Sequence, residues 1–272
     1  MSKLGQASSR LGAVRRGWWL AMIVVISGVL VALPSAASGR LWAPAPRTTW
    51  QWQLTTPVSL AMPAQMFDID LFDNSASVVA ALHRRGRHAI CYLDAGTYEN
   101  YRPDARRFPS WLLGRPNGWP GERWLDIRRL SALEPIMRAR FSLCRHKGFD
   151  GVEADNVDAF ANDSGFPLTA AQQLTYNRWL ARTAHSFGLS IALKNDLDQV
   201  PALEPYFDFA LDEQCFEYSE CGKLRPFVAA HKAVFEVEYN LPTGQFCTRA
   251  NALGFMSMRK TLDLGVRRQV CW

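Results

Sequence analysis

The residues best suited to chemistry lie in Asp150-Gly-Val-Glu-Ala-Asp-Asn-Val-Asp158. The stretch reads as a short buried strand that ends in carboxylates. Side chains alternate along a strand, so Val152 and Ala154 face one way while Gly151, Glu153 and Asp155 face the other. Two acids then share one face near the strand's C-terminal end. Burying unpaired carboxylates is costly, so chemistry explains the arrangement more readily than stability does. Comparable groups recur along the chain. Asp68 and Asp70 share a face of one apolar segment, and Tyr92 and Asp94 share a face of the next. Asp126, the pair Lys194 and Asn195, Glu213, and the pair Glu238 and Tyr239 each close another. Glu213 continues the same-parity apolar series Phe207, Phe209, Leu211.

The elements that must position these groups alternate. Hydrophobic runs predict strands over 50–54, 66–72, 88–95, 123–127, 151–156, 190–195, 207–214 and 233–239, with 255–258 as one more. Helices are expected over 75–85, 131–147, 169–187, 223–231 and 244–253. Thr169 with Gln172 three residues on gives the third a capping signal, and Phe187-Gly188 gives it a stop. About eight strands with intervening helices favour a single α/β domain built as a (β/α)8 TIM-type barrel. An open doubly wound sheet is the alternative, but no GxGxxG or GxxxxGK[ST] supports it. In a barrel the strand-end residues meet at one rim, where barrel enzymes do their chemistry. On that reading Asp126 ends the fourth strand, Glu153 and Asp155 the fifth, Glu213 the seventh and Glu238 the eighth. A lone Asp after a strand caps a turn as readily as it catalyses. The recurrence at strand ends carries the functional reading.

Of the formal charge of +6, four positive charges (Lys3, Arg10, Arg15, Arg16) lie in the first 37 residues, which hold no acid. The remainder is close to neutral, which excludes the electrostatic signature of a nucleic-acid binder. Arg15-Arg16, an uncharged apolar run from Gly17 to Leu33 and the small residues Ser35-Ala36-Ala37 read as a signal peptide or membrane anchor over 1–37. A Pro/Ala linker over 38–48 follows, and the barrel domain occupies 49–272. The domain is therefore expected to be secreted or extracytoplasmic, with membrane contact only through an uncleaved N-terminal segment. Six cysteines suit disulfides in that compartment. Cys215 with Cys221 would staple a loop and Cys247 with Cys271 would tie down the C-terminus. Cys91 and Cys144 either pair or remain buried thiols.

Aromatics accompany the acids: Trp42, Trp50, Trp52, Trp111, Trp119, Trp124, Trp179 and Trp272 lie beyond the N-terminal segment. Carboxylates with aromatics suit a sugar, whose hydroxyls bond to the acids while its C–H face stacks on indole. Glycoside cleavage also needs two carboxyls, one to protonate the leaving oxygen and one to attack carbon or activate water. The five histidines form no triad or metal pattern, there is no GxSxG and no zinc spacing, and no cofactor is called for.

These residues fall into an ordered series of motifs. It comprises Trp50-Gln-Trp-Gln-Leu54, Phe67-Asp-Ile-Asp-Leu-Phe-Asp73, Ile90-Cys-Tyr92 with Ala95-Gly96 and Tyr98-Glu99, Gly118-Trp-Pro-Gly-Glu122, and Trp124-Leu-Asp-Ile127. It continues with Asp150 to Asp158, Gly165-Phe-Pro-Leu-Thr169, Tyr176-Asn-Arg-Trp179, Leu193-Lys-Asn-Asp196, Glu213-Gln-Cys-Phe216 and Val237-Glu-Tyr239. The series resembles glycoside hydrolase family 114, the endo-α-1,4-polygalactosaminidase-like family, from about Trp50 to the C-terminus. The resemblance implies a (β/α)8-type barrel and hydrolysis of α-1,4-linked galactosamine polymers. It implies Asp155 as nucleophile and Glu213 as general acid/base. Asp68, Asp70, Tyr92, Asp94, Asp126, Glu153, Lys194, Asn195, Glu238 and Tyr239 are the expected substrate-binding set. The chain departs from the family pattern at Ala154, where Pro is frequent, and at Asp94, where a small residue is frequent. A galactosamine ammonium would be drawn to such an acidic cleft. The alternatives are a carbohydrate-binding barrel without turnover and a glycosidase acting on a different amino-sugar polymer.

Overall fold

The structure is a computed structural model and describes residues 41–272. The expected signal or anchor segment lies outside the described residues, as do the first residues of the linker. Residues 41–49 form no helix or strand, and Trp42 stacks on His88 with ring centroids 3.8 Å apart. The chain then lays down β1 (Trp50–Gln53), β2 (Met66–Asp70), α1 (Ala76–His83), β3 (His88–Asp94), β4 (Thr97–Glu99), β5 (Leu113–Pro116), β6 (Glu122–Leu125), α2 (Leu130–Lys147), β7 (Gly151–Asp155), α3 (Ala170–Ser186), β8 (Ser190–Lys194), α4 (Val200–Leu203), β9 (Phe209–Glu213), α5 (Arg225–Ala229), β10 (Val234–Glu238), α6 (Thr243–Leu253), β11 (Met256–Arg259) and β12 (Gln269–Val270).

The main sheet runs β1-β2-β3-β7-β8-β9-β10-β11-β12, and every pairing is parallel except β12 on β11. Strand parity separates two cores. One set of side chains, including Trp50, Met66, Ile90, Phe209, Leu211, Phe235, Val237 and Met258, points inward and fills the curled sheet. The other set, such as Val152, Ala154, Ile191 and Ala210, meets the helices through Phe141, Leu180 and Phe227. Each large side chain removed from water contributes roughly 1.5–3 kcal/mol. The capping box of α3 forms: the Gln172 N–H donates to Thr169 Oγ1 at 3.3 Å, and the Thr169 N–H donates to Gln172 Oε1 at 3.0 Å.

The ring closes differently from an ideal barrel. Among the described residues β1 and β11 share no ladder, because β12 takes the free edge of β11. The gap is bridged by other means. The Trp50 indole N–H donates to the Met256 carbonyl at 2.8 Å, and the Leu54 N–H donates to the Leu264 carbonyl at 3.0 Å. The Gln51 amide donates to the Val266 carbonyl at 2.9 Å, and the Arg268 guanidinium donates to the carbonyls of Trp50 and Pro63. Trp50 packs on Phe235 with centroids 4.9 Å apart, so the first strand meets the far side of the sheet.

A second difference concerns 123–127, which was expected to be the fourth barrel strand. It forms β6 of a separate antiparallel sheet, β4-β6-β5, on the excursion between β3 and α2. A parallel neighbour needs a crossover of a dozen or more residues, whereas the five residues 117–121 between β5 and β6 allow only an antiparallel pairing. The fourth barrel strand is β7, and β11 supplies the eighth.

All six cysteines pair: Cys91–Cys144 ties β3 to α2, Cys215–Cys221 closes the loop after β9, and Cys247–Cys271 ties α6 to the C-terminus. No described helix is long and apolar enough to cross a membrane.

Candidate active site

A cleft of about 320 Å³ opens at the C-terminal ends of the parallel strands. Of the residues expected from sequence, it gathers Asp70, Tyr92, Asp155, Lys194, Asn195, Glu213 and Tyr239. The turns that deliver them are tight. Asn156 (φ 60°), Asn195 (φ 48°), Asp196 (φ 46°) and Gln214 (φ 65°), just beyond β7, β8 and β9, are all left-handed. Asn and Asp tolerate that region better than other side chains, and such departures cluster at functional sites. Gly96 lets the chain after β3 abut the β7 turn, since a Cβ there would lie 1.6 Å from the Asn156 carbonyl oxygen. The same approach lets the Ala95 and Gly96 N–H groups donate to the Asp155 carbonyl, both at 3.0 Å.

Lys194 stands at the centre. Its Nζ lies 2.8 Å from Asp155 Oδ1, 2.9 Å from Glu213 Oε2 and 3.3 Å from Glu153 Oε1, and 5.0 Å from the Trp52 ring centroid. Burial works against the ammonium, but the carboxylates of Asp155, Glu213 and Glu153 outweigh it and hold its pKa well above the ordinary lysine value. Asp155 also accepts from the Tyr92 hydroxyl at 2.8 Å and from the Asn156 N–H at 2.8 Å. Burial alone would raise the Asp155 pKa; Lys194, Tyr92 and the Asn156 N–H reverse this and lower it. Glu213 accepts from the Tyr239 hydroxyl and from the Asn195 side-chain amide at 3.4 Å, and its backbone N–H donates to Asn195 Oδ1 at 3.0 Å. An ionised acid on β7 and a second acid on β9 therefore share one buried ammonium, and each has a tyrosine hydroxyl.

The remaining expected residues fall elsewhere. Asp68 and Glu153 point inward beneath the cleft and do not line it. Burial pushes Asp68 up to about 7, and burial then the Asp68 charge push Glu153 well above its usual range. Asp94 is fully buried and accepts from the Asn156 amide at 2.8 Å, which braces the β7 turn. Burial, then Glu99, raises its pKa well above the carboxylate range. Glu238 and Asp126 do not reach the cleft. Glu238 has the parity of Glu236, opposite to Tyr239, so it points toward the helix layer and accepts from the Phe216 and Glu217 N–H groups at 2.8 and 3.2 Å. Asp126 follows β6 and is held by Arg128 at 2.6 Å and Arg129 at 3.4 Å. Its expected place at the rim fails because β6 is not a barrel strand.

The excursion supplies residues that the strand-end rule does not reach. Glu99, Tyr101, Arg102, Trp119 and Glu122 line the cleft. Arg102 ties them to the barrel, contacting Asp70 at 2.6 Å and Glu99 at 2.7 Å. Trp119 and Tyr101 are more than half exposed, as a sugar-stacking surface requires. Glu99, Trp119 and Glu122 stand in the motifs quoted above, so a signal for them existed. Trp50, Trp52 and Trp124 are core. Carboxylate oxygens of Asp94, Glu99 and Glu122 lie within 4.8 Å of one another, the one such cluster of metal-ligand type among the described residues. Arg102 at 2.7 Å and Arg140 at 3.9 Å already compensate Glu99.

Comparison with known proteins identifies the family. The model of glycoside-hydrolase family GH114 matches residues 31–272. The crystal structure of Aspergillus fumigatus Ega3 in complex with galactosamine superposes with a TM-score of 0.81 at 37% identity, covering 85% of this chain and 97% of that one. The glycoside hydrolase domain of PelA from Pseudomonas aeruginosa shares the fold at 15% identity, with a TM-score of 0.60 over 81% of this chain and 96% of that one. An uncharacterized protein of Deinococcus radiodurans is 25% identical over 203 residues, which span 65% of each chain. With a family match over nearly the whole length and a cleft built of two carboxylates on a TIM-like barrel, the chain belongs to glycoside hydrolase family GH114.

Proposed function

We propose that this enzyme cleaves α-1,4-linked, galactosamine-containing polysaccharide by a retaining mechanism, with Asp155 as nucleophile and Glu213 as general acid/base. The observation that carries the reading is the single ammonium of Lys194, 2.8 Å from Asp155 and 2.9 Å from Glu213. One shared ammonium keeps the nearest oxygens of the two acids within about 6 Å of each other, closer to the spacing of a retaining pair (roughly 5–5.5 Å) than to that of an inverting one (roughly 6.5–9.5 Å). The substrate class rests on the galactosamine complex of Ega3, 37% identical to this chain, and on the acids around the cleft, which attract a cationic sugar.

In the first step an Asp155 oxygen attacks the anomeric carbon while Glu213 protonates the departing glycosidic oxygen. This gives a glycosyl ester on Asp155 and a free hydroxyl on the leaving sugar. In the second step Glu213 takes a proton from water, the water oxygen attacks the same carbon, and Asp155 leaves as carboxylate. Negative charge thus passes from Asp155 to Glu213 and back. Lys194 contacts both, so its charge stays compensated at each stage without rearrangement, as electrostatic preorganisation requires. The Tyr92 and Tyr239 hydroxyls fix which oxygen of each acid faces the substrate. Three disulfides suit an oxidising compartment, consistent with an exported enzyme acting on an extracellular polymer.

The test is reducing-end release from partly deacetylated α-1,4-galactosaminan by wild type, Asp155→Asn and Glu213→Gln. Activity should fall by at least about a thousand-fold in each variant with circular dichroism unchanged. Full activity in either variant would remove that residue from its role. A wild type inactive at every acetylation level would favour binding without turnover or a different glycan.

A further inference from the structure

The end of the barrel opposite the cleft carries a charge pattern that the reaction does not use. Helices α1 and α2 pack side by side and both end there. Arg84 and Arg85 follow α1, and Arg145 and His146 stand in the last turn of α2. Asp150 ties these ends to the start of β3: its Oδ2 lies 2.9 Å from His83 Nε2 and 3.3 Å from His88 Nδ1. Trp42 stacks on the same His88, so the segment that leads into β1 and carries Arg47 meets this face. Over 41–49, 83–88 and 144–150 the one acid is Asp150, which the two histidines already hold. Arg87 and Lys147 turn to backbone carbonyls. Arg47, Arg84, Arg85 and Arg145 are exposed and, among the described residues, meet no acid there. A helix dipole favours bases at any helix C-terminus, yet this pattern is local. Helices α5 and α6 have no base in their last turn, and α3 has only His185, which Asp208 holds at 2.8 Å. The free bases gather under the two helices beside the N-terminal segment.

We propose that this face rests on an anionic lipid bilayer, with the catalytic cleft turned outward. The chemistry is a match of sign and shape: exposed guanidinium groups without acids pair with lipid phosphates through two parallel hydrogen bonds. The occupant follows from the chain that precedes the described residues. Only residues 34–41 separate the uncharged apolar run Gly17 to Leu33 from Trp42, and eight extended residues reach at most about 30 Å. While that run lies in a bilayer, in transit or as a retained anchor, this face stays within that reach of the headgroups. Trp42, half-buried against His88, is the residue type that settles at headgroup level. The far end of the barrel has the opposite charge, because Asp70, Asp73, Glu99, Glu122, Asp155 and Glu213 line the cleft at the C-terminal ends of the strands. An anionic surface therefore attracts one end, repels the other and orients the barrel. The cleft is then presented to polymer outside the membrane.

The experiment sediments the full chain with phosphatidylcholine vesicles prepared with and without phosphatidylglycerol, at low and at high salt. Three proteins are compared: wild type, Arg84→Gln/Arg85→Gln/Arg145→Gln, and Arg225→Gln/Arg249→Gln/Arg267→Gln, which removes equal charge from other elements. The N-terminal segment is common to all three, so differences between them belong to the arginines. Wild type should prefer the anionic vesicles, and salt should weaken that preference. The first variant should lose about five-fold of the preference per arginine, on the order of a hundred-fold in all, and the second should keep most of it. Turnover of a soluble oligosaccharide should be unchanged in both, since none of the six arginines lines the cleft. Equal partitioning of wild type into charged and neutral vesicles overturns the proposal. So does an equal loss in the two variants, which would assign the preference to net charge and not to this face.

Discussion

At the scale of residues the site is an exercise in charge compensation. Lys194 is almost fully buried and survives as an ammonium only because three carboxylates surround it. Below them Asp68 and Glu153 face one another, and burial disfavours a charge on either. Asp68 has a pH signature. Its folded pKa, about 7, stands above its unfolded value near 3.8, so the folded chain holds a proton there that the unfolded chain gives up. The stability this contributes is complete below about pH 4 and is lost as the pH rises through 7, at up to about 1.4 kcal/mol per unit in between. Asp68→Asn has no such proton to lose. Its melting temperature relative to wild type should therefore climb between pH 4.5 and 7.5 and level off above that. A difference independent of pH would show that Asp68 titrates normally. Much of this scale is legible in sequence, because alternation along each strand assigns the faces. Glu153 and Asp155 share one, and Phe209, Leu211 and Glu213 share one. The same rule separates Glu238 from Tyr239: only the tyrosine continues the inward series Phe235, Val237. Adjacent positions on one strand have opposite parity, so Glu238 and Tyr239 cannot both face the rim.

At the scale of elements, strand existence and helix caps were readable from local pattern, as the Thr169–Gln172 box shows. The excursion between β3 and α2 was not. A segment such as Glu122–Leu125 carries the same apolar signal in an antiparallel sheet as in a barrel, and only its partners distinguish the two. That is why Asp126 was expected at the rim and is found beside Arg128. The meeting of the excursion with the β7 turn makes a sharp prediction at Gly96. A methyl group there would sit 1.6 Å from the Asn156 carbonyl oxygen, and backbone has to yield. Gly96→Ala should displace Asn156, whose N–H fixes Asp155, and reduce kcat by about a hundred-fold or more even where the variant folds. Wild-type kcat in a folded Gly96→Ala protein would show that the β7 turn need not be held there.

At the scale of the whole molecule, local pattern gave a barrel, and the structure gives a parallel sheet whose seam is closed by the C-terminal segment. No pattern in β1 or β11 reveals this, because closure depends on where β12 settles some two hundred residues after β1. Arg268 is the main fastening of the seam, donating to the Trp50 and Pro63 carbonyls and packing on Trp272. Arg268→Ala should lower stability by about 1–3 kcal/mol, measured by urea unfolding, with little change in kcat because the residue lies outside the catalytic cleft. An unchanged midpoint would place the closure in Trp50 and Gln51 instead. Disulfides bind the same architecture at three further places, one of them at the C-terminus through Cys271.

The central claim is that Asp155 and Glu213, set across one ammonium, work as nucleophile and acid/base. The most direct measurement is proton NMR of the first sugar hemiacetal released from an α-1,4-galactosamine oligomer, recorded before mutarotation. Retention requires the α-anomer to appear first and the β-anomer to grow in behind it. Initial release of the β-anomer would mean direct attack by water, and Asp155 would then be a base and not a nucleophile.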